Sequence, residues 1–461
     1  MILNIKKIHS KFIEAKEKTV KTNSPILFSV TDDIEIDLLS LINLEKKIFR
    51  KKIYWSQPST KFEFIALGEA VDLSSEDNLK SVVNDKIIKI ILDKVEYNST
   101  HQKNIPVFIG GQNFDINRSN KNIWINFPIF NYQIPLILIL SSNSTTTITY
   151  NFIIDKNSRF SIISDEIERY IDIIKNYHPN ITQKEFINLR SKKMHLDKKM
   201  FYEKFSIIKR YIQESEIEKA IISNIISYSY KGFFLLDKFL LKLKDLYPKC
   251  TIFLYDYPDK GKYLGASPEK VLDVNNNNLK IDALAGSVNR TNNKSDDISN
   301  AKFILKNKKI NEEHDIVVKG IVDNLNKIKI KANLSEKNVV ILKNILHLKT
   351  LITAKITNKN TIMNLLDLLS PTPALSGYPK DNAMNIINDI EDYDRGWYSG
   401  SIGWINNNLD CDFFAGLRSM FIDKNKLYIY GGAGIIKDSV KDEEWKEILY
   451  KINVIEELMN E

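Results

Sequence analysis

Residues 365–383 read LLDLLSPTPALSGYPKDNA, residues 391–404 EDYDRGWYSGSIGW, residues 413–420 FFAGLRSM and residues 428–451 YIYGGAGIIKDSVKDEEWKEILYK. Turn residues, a guanidinium, a glycine cluster and a carboxylate-bearing segment follow one another closely. The last stretch predicts a helix. Glu444, Glu447 and Lys451 stand at i, i+3 and i+7 on one face, while Trp445, Ile448, Leu449, Ile452 and Ile455 form an apolar face that packs on the protein. Two carboxylates a turn apart suit a hard divalent cation held by oxygen ligands. The same spacing also suits a solvated acidic turn with an intrahelical Glu447–Lys451 pair. Upstream, Tyr430–Ile435 reads as a strand breaking into a glycine turn, whose N–H groups can approach an anion. Arg418, in the strand-like FFAGLRSMFI, offers a planar fork for a carboxylate. Taken singly, these features fit a surface ion pair and a plain turn equally well.

Working outward, 461 residues with 43% hydrophobic and 27% charged side chains describe a globular chain able to bury a sizeable core. The net charge of +8 comes from lysines spread along the whole chain. Nucleic-acid binding would need a basic stripe, so no nucleic-acid partner is expected. Cys250 and Cys411 make no disulfide framework, no signal peptide is visible, and the longest apolar burst, Leu136–Leu140, is too short to span a membrane. The expected setting is cytoplasmic, with no membrane contact.

The N-terminal part, residues 1–200, is β-rich. FEFIALGEAVDL (62–73), VFIGGQNFD (107–115), WINFPIF (124–130), IPLILIL (134–140) and TTTITYNFII (145–154) read as short strands, which argues for antiparallel sheet. VVNDKIIKIILDKV (82–95) has helical spacing, and residues 155–215 read as largely helical. Asn275–Asn278 reads as a hairpin tip. No linker separates this part from residues 201–461.

In the second part, Lys219 sits at the entry of an apolar run, Ala220-Ile221-Ile222. Desolvation there makes a neutral amine usable as a base, although a lysine so placed also snorkels readily to the surface. Glu269 follows the Ser267-Pro268 turn of LGASPEKVL; if buried, it stays protonated near neutrality and becomes a proton donor. KINEEHDIVVKGIVDNL (309–325) reads as a helix with Val317, Ile321 and Leu325 on its apolar face. Only six histidines occur, without zinc-site spacing.

Together, SPTPALSGYP, EDYDRGWYSGSIGW, LRSM, YGGAGIIKDS and EEWKE resemble the signature of the chorismate-utilising enzymes, which include isochorismate, salicylate, anthranilate and aminodeoxychorismate synthases. The Pro-Thr-Pro-Ala and RGWY-G-GW versions are similar to the isochorismate and salicylate branch. EIEKAII, LGASPE, ALAGSVNR and Glu313-His314 resemble further family segments, and Gly110-Gly111, Phe114, Trp124, Phe127 and Pro128 resemble a pattern of menaquinone-type isochorismate synthases. We read these last residues as buried aromatics and turns closing a sheet. Three departures stand out: Asn224 where an arginine is common, Ser370 where a histidine is usual, and Ile310 where one salicylate branch carries an acid.

The resemblance implies an α/β (α+β) fold like that of anthranilate synthase component I, one large domain of mostly antiparallel sheets wrapped by helices. It implies an isomerase that adds water to chorismate and expels the ring hydroxyl, with Lys219 as base and Glu269 as acid. Gly286, Ser287, His347, Thr372, Tyr398, Arg418, Gly432, Gly434 and Lys451 would contact substrate. Glu313 and Glu447, with Glu444 near, would hold Mg²⁺. The chain would act as a monomer or homodimer with no amidotransferase subunit. Salicylate synthase, which also eliminates pyruvate, is the nearest alternative. An aminating synthase is disfavoured by Lys219 and the Pro-Thr-Pro-Ala segment.

Overall fold

Several strands are apolar on both faces, and each face has its own partner. In strand Lys52–Gln57, Ile53 and Trp55 point into an aromatic cluster, whereas Tyr54 joins a different apolar cluster on the opposite face. Strand Thr251–Tyr257 repeats this, with Phe253 and Tyr255 on one side and Ile252 and Leu254 on the other. The period of two along a strand therefore sorts consecutive residues into separate cores.

These strands belong to two large sheets in a computed structural model that describes residues 4–45, 47–75, 80–98, 105–177, 186–290, 293–357 and 362–460. Among the described residues one sheet has 13 strands and the other 10. Pairing is antiparallel except where Ile26–Asp33 runs parallel to Val95–Asn98. The aromatic cluster lies between the sheets: Trp55 of the larger packs edge-on against Phe414 of the smaller at 5.8 Å, and Phe62 stacks on Trp404 at 5.6 Å. Helices cover the outer faces. Ile5–Thr22, Phe160–Lys175, Lys198–Gln213 and Lys441–Asn460 pack on the larger sheet, and Lys308–Lys327 and Ile362–Leu369 pack on the smaller. This is the expected α/β domain of mostly antiparallel sheets wrapped by helices. The N-terminal part contributes strands to both sheets, as in the pairing of Lys52–Gln57 with Thr251–Tyr257. Among the described residues no helix is long and apolar enough to cross a membrane.

Most predicted elements form, including the hairpin at Asn275–Asn278, where Asn276 and Asn277 adopt positive φ. Four readings change. WINFPIF is not a strand: Trp124 ends a short 3₁₀ turn, and its ring stacks on Phe421 at 4.1 Å from a loop. Within 155–215, Phe186–Met194 is a strand, because it pairs with the outer edge of strand Lys219–Phe233. The Gly431–Gly434 run is no turn; it continues strand Lys426–Ile435 in unbroken register with Lys219–Phe233. Arg418 lies just outside a strand, in a left-handed conformation with φ 45°.

Candidate active site

Two crossings of the chain between the sheets build the site. Strand Gly261–Ser267 lies in the larger sheet and Lys270–Asn275 in the smaller, and Glu269 sits on the crossing. Strand Cys411–Ala415 lies in the smaller sheet and Ser419–Asp423 in the larger, and Arg418 sits on that crossing. The crossings are tied together: the amide of Ala415 donates to Glu269 O at 3.0 Å, and the amide of Ala266 donates to Arg418 O at 3.1 Å.

The sheets supply the walls. Lys219 opens strand Lys219–Phe233, beside the strand carrying Gly432 and Gly434. Gly286 and Ser287 stand at a bulge of strand Asn278–Asn289, where Ser287 is registered with His347. Gly286 has φ 72°, and a Cβ there would meet Ile310 Cγ2 at 2.6 Å, so only glycine suits the bulge. Helices Lys308–Lys327 and Lys441–Asn460 bring Glu313 and Glu447. The cleft opens to solvent, with about 800 Å³ of empty space when the solvent at its mouth is included. Lys219, Glu269, Gly286, Ser287, Glu313, His347, Tyr398, Arg418, Gly432, Gly434, Glu447 and Lys451 all line it.

Two predicted site residues do not line the cleft. Thr372 is buried and donates to Glu269 Oε1 at 2.7 Å, so it touches the acid rather than the open space. Glu444 is buried behind Glu447 and paired with Lys309 at 3.0 Å.

Burial sets the protonation of the cleft. It pushes the Glu269 carboxyl up to about 7, against the opposing effects of the Thr372 hydroxyl and the Lys219 charge. It pushes His347 well below its ordinary range, helped by Arg418 and Lys451, so this ring is neutral. Burial also raises the Tyr398 hydroxyl, which stays a donor, and its ring stacks on Tyr430 at 4.9 Å. Burial pulls the Lys451 ammonium down, and Glu447, with Tyr398 and Glu313, more than offsets this, leaving it raised. Arg418 makes no ion pair among the described residues; its nearest polar contact is Cys250 Sγ at 4.0 Å, which leaves the guanidinium available to an anion.

Lys219 is 1% exposed and donates to Glu313 Oε1 at 2.9 Å. The predicted base and a predicted metal ligand are therefore partners. Gly434 permits this approach: a Cβ on it would stand 2.6 Å from Lys219 Cε and 2.8 Å from Glu313 Oε1. Lys451 donates to both Glu447 Oε1 and Gly432 O, at 2.7 and 2.8 Å, so the intrahelical pair expected from spacing forms. Gly432 O and Gly434 O accept from Lys451 and Ser439, outside the strand ladder. In an antiparallel strand the N–H of a residue shares the edge of its C=O, so the amides of these glycines also face away from the neighbouring strand.

Among the described residues no three carboxylates converge closely enough to form a ready metal site. The donor chemistry nonetheless fits a hard cation. Burial raises Glu444 to about 7, and the nearby Glu447 and Glu313 charges add to the shift, a repulsion that a cation would relieve. Each of the three carboxylates has a lysine partner: Lys219 for Glu313, Lys451 for Glu447 and Lys309 for Glu444.

Sequence reasoning missed Lys309 and the buried pair Glu391–Arg395. Both halves of that pair stood in EDYDRGWYSGSIGW, but no local pattern marks a side chain that acts by bridging distant segments.

Residues 11–460 match the family model described as chorismate binding enzyme. The chain is 25% identical over 458 residues to isochorismate synthase MenF of Bacillus subtilis, covering 95% of each. It is 30% identical over 237 residues to isochorismate synthase MenF of Haemophilus influenzae, 51% of this chain and 55% of that one. Its fold matches the structure of MenF, the menaquinone-specific isochorismate synthase from Escherichia coli, with a TM-score of 0.79 at 20% identity, covering 97% of this chain and 100% of that one. Anthranilate synthase component I from Streptococcus pneumoniae shares the fold with a TM-score of 0.71 at 18% identity, covering 86% and 92%.

Proposed function

The chain belongs to the chorismate-binding enzyme family, and on that premise we propose that it isomerises chorismate to isochorismate. The observation that carries this reading is that two buried groups suited to opposite proton transfers, Lys219 and Glu269, line one ring-sized cleft. Lys219 takes a proton from water as the water oxygen bonds to one ring carbon. The diene shifts, and the hydroxyl on another ring carbon leaves with the proton of Glu269. Water is consumed and water is released, so the product is an isomer. Return of the proton from lysine to glutamate resets the site. Glu313, 2.9 Å from the amine, stabilises the ammonium that forms.

The Arg418 fork and the Gly432 and Gly434 amides hold a substrate carboxylate, and the Tyr398 hydroxyl and neutral His347 supply further hydrogen bonds. Gly286 and Ser287 leave room at the ring for attacking water. Glu313 and Glu447, backed by Glu444, would hold Mg²⁺, which when bound offsets the charge of a dicarboxylate substrate. The Bacillus and Haemophilus relatives share the name MenF with the menaquinone-specific isochorismate synthase of Escherichia coli, which supports a role in supplying menaquinone synthesis. The unpaired, buried Cys250 and Cys411 fit a reducing, cytoplasmic setting.

Incubating the purified chain with chorismate and Mg²⁺ and separating the products tests the reading. Isochorismate is the expected product. Salicylate with pyruvate would add an elimination step, and unchanged chorismate, or amination with ammonia, would overturn the assignment.

A further inference from the structure

Strand Lys219–Phe233 has a gap along its outer edge. Gly377–Tyr378 pairs with it at Lys219 and Ala220, and Phe186–Met194 pairs with it from Ile226 onward. Between them no strand pairs with that edge among the described residues. Two backbone bonds reach into the gap, from the Ile221 amide to Ser376 O at 3.3 Å and from the His195 amide to Ile225 O at 2.9 Å, and side chains fill the rest. Arg395 donates from Nη2 to Ile221 O at 2.9 Å, and Glu391 Oε1 accepts from the amide and hydroxyl of Ser223, both at 2.9 Å. Arg395 also donates twice to Glu391, at 2.7 and 2.8 Å, and from Nη1 to Leu375 O at 3.0 Å. Its guanidinium lies over the Phe114 ring at 4.2 Å. Arg395 and Glu391 are 3% and 6% exposed, and neither lines the cleft.

The two carbonyls that Arg395 joins belong to the two halves of the chemistry. Ile221 is two residues from Lys219. Leu375 ends the turn whose amide returns to Thr372 O at 2.9 Å, and Thr372 holds Glu269. Building on the roles proposed above for Lys219 and Glu269, we propose that Arg395, oriented by Glu391, is a positioning residue that sets the placement of the base relative to the acid. A buried ion pair is seldom more stabilising than an apolar pair of the same volume, so stability alone gives little reason for one here. The planar fork does what an apolar pair does not: it grips two carbonyls and a carboxylate in one fixed plane.

Arg395→Lys tests this, because it keeps a cation facing Glu391 but loses the fork. The wild-type chain and the variant are compared for melting temperature, KM and kcat with chorismate. Positioning predicts a folded variant with KM near wild type and kcat lower by about 100-fold, the cost of misplacing reacting groups by about 1 Å. Unchanged kcat, or KM and kcat deteriorating together, overturns it. If Arg395→Lys does not fold, the double variant Arg395→Met/Glu391→Leu, which removes both charges, is read by the same criteria. Failure of the wild-type chain to consume chorismate would instead defeat the proposed function.

Discussion

Thr372 Oγ1 donates to Glu269 Oε1 at 2.7 Å, deep at the point where the chain crosses between its two sheets. The hydroxyl opposes the upward push of burial on this carboxyl, which stands at about 7. In the proposed reaction the protonated form is the proton donor, so turnover should fall as pH rises through about 7. Thr372→Val removes a lowering influence and should move that fall to higher pH. The pH profile of kcat for the two proteins checks this; an unmoved profile contradicts it.

Glu269→Gln should cost roughly 10²–10⁴-fold in kcat, the usual worth of a positioned proton donor. It should also change stability in a pH-dependent way. The folded-state pKa is raised, so Glu269 contributes fully below its unfolded value, and this contribution is lost as pH rises through about 7. Glutamine carries no charge at any pH. The variant should therefore gain stability over wild type in alkaline buffer and little in acid, read as melting temperature against pH.

Lys219→Ala should lower kcat by roughly 10²–10⁴-fold while chorismate still binds. Gly434→Ala should damage activity through the same amine, because its Cβ would stand 2.6 Å from Lys219 Cε. Turnover by folded Gly434→Ala close to that of wild type would contradict this.

Arg418→Ala should act on binding. A lost charge-assisted hydrogen bond is worth about 1.5–3 kcal/mol, so chorismate affinity should fall by roughly one to two orders of magnitude. Titration of the folded variant with chorismate measures it.

EDTA should abolish turnover and added Mg²⁺ restore it. Glu447→Gln should raise the Mg²⁺ concentration needed by at least about tenfold. Activity indifferent to EDTA would remove the metal from the proposal.

The antiparallel strands, the amphipathic final helix and the motifs around Lys219, Glu269 and Glu313 were legible because each is a local pattern of period or turn chemistry. Their errors share a cause. The 186–194 segment became a strand through an edge offered by residues far along the chain, and Trp124 left the ladder to fill a core between two sheets.

The residues alone marked which side chains are suited to the proposed chemistry, since charge, proton affinity and backbone freedom belong to each residue type. Only the tertiary structure decided which of them meet. It paired Lys219 with Glu313, put Thr372 on Glu269 instead of in the cleft, and closed a strand edge with Arg395 and Glu391. Such contacts join residues 94 to 174 positions apart, so no local window holds them. They are set by how two twisted sheets and their crossings pack.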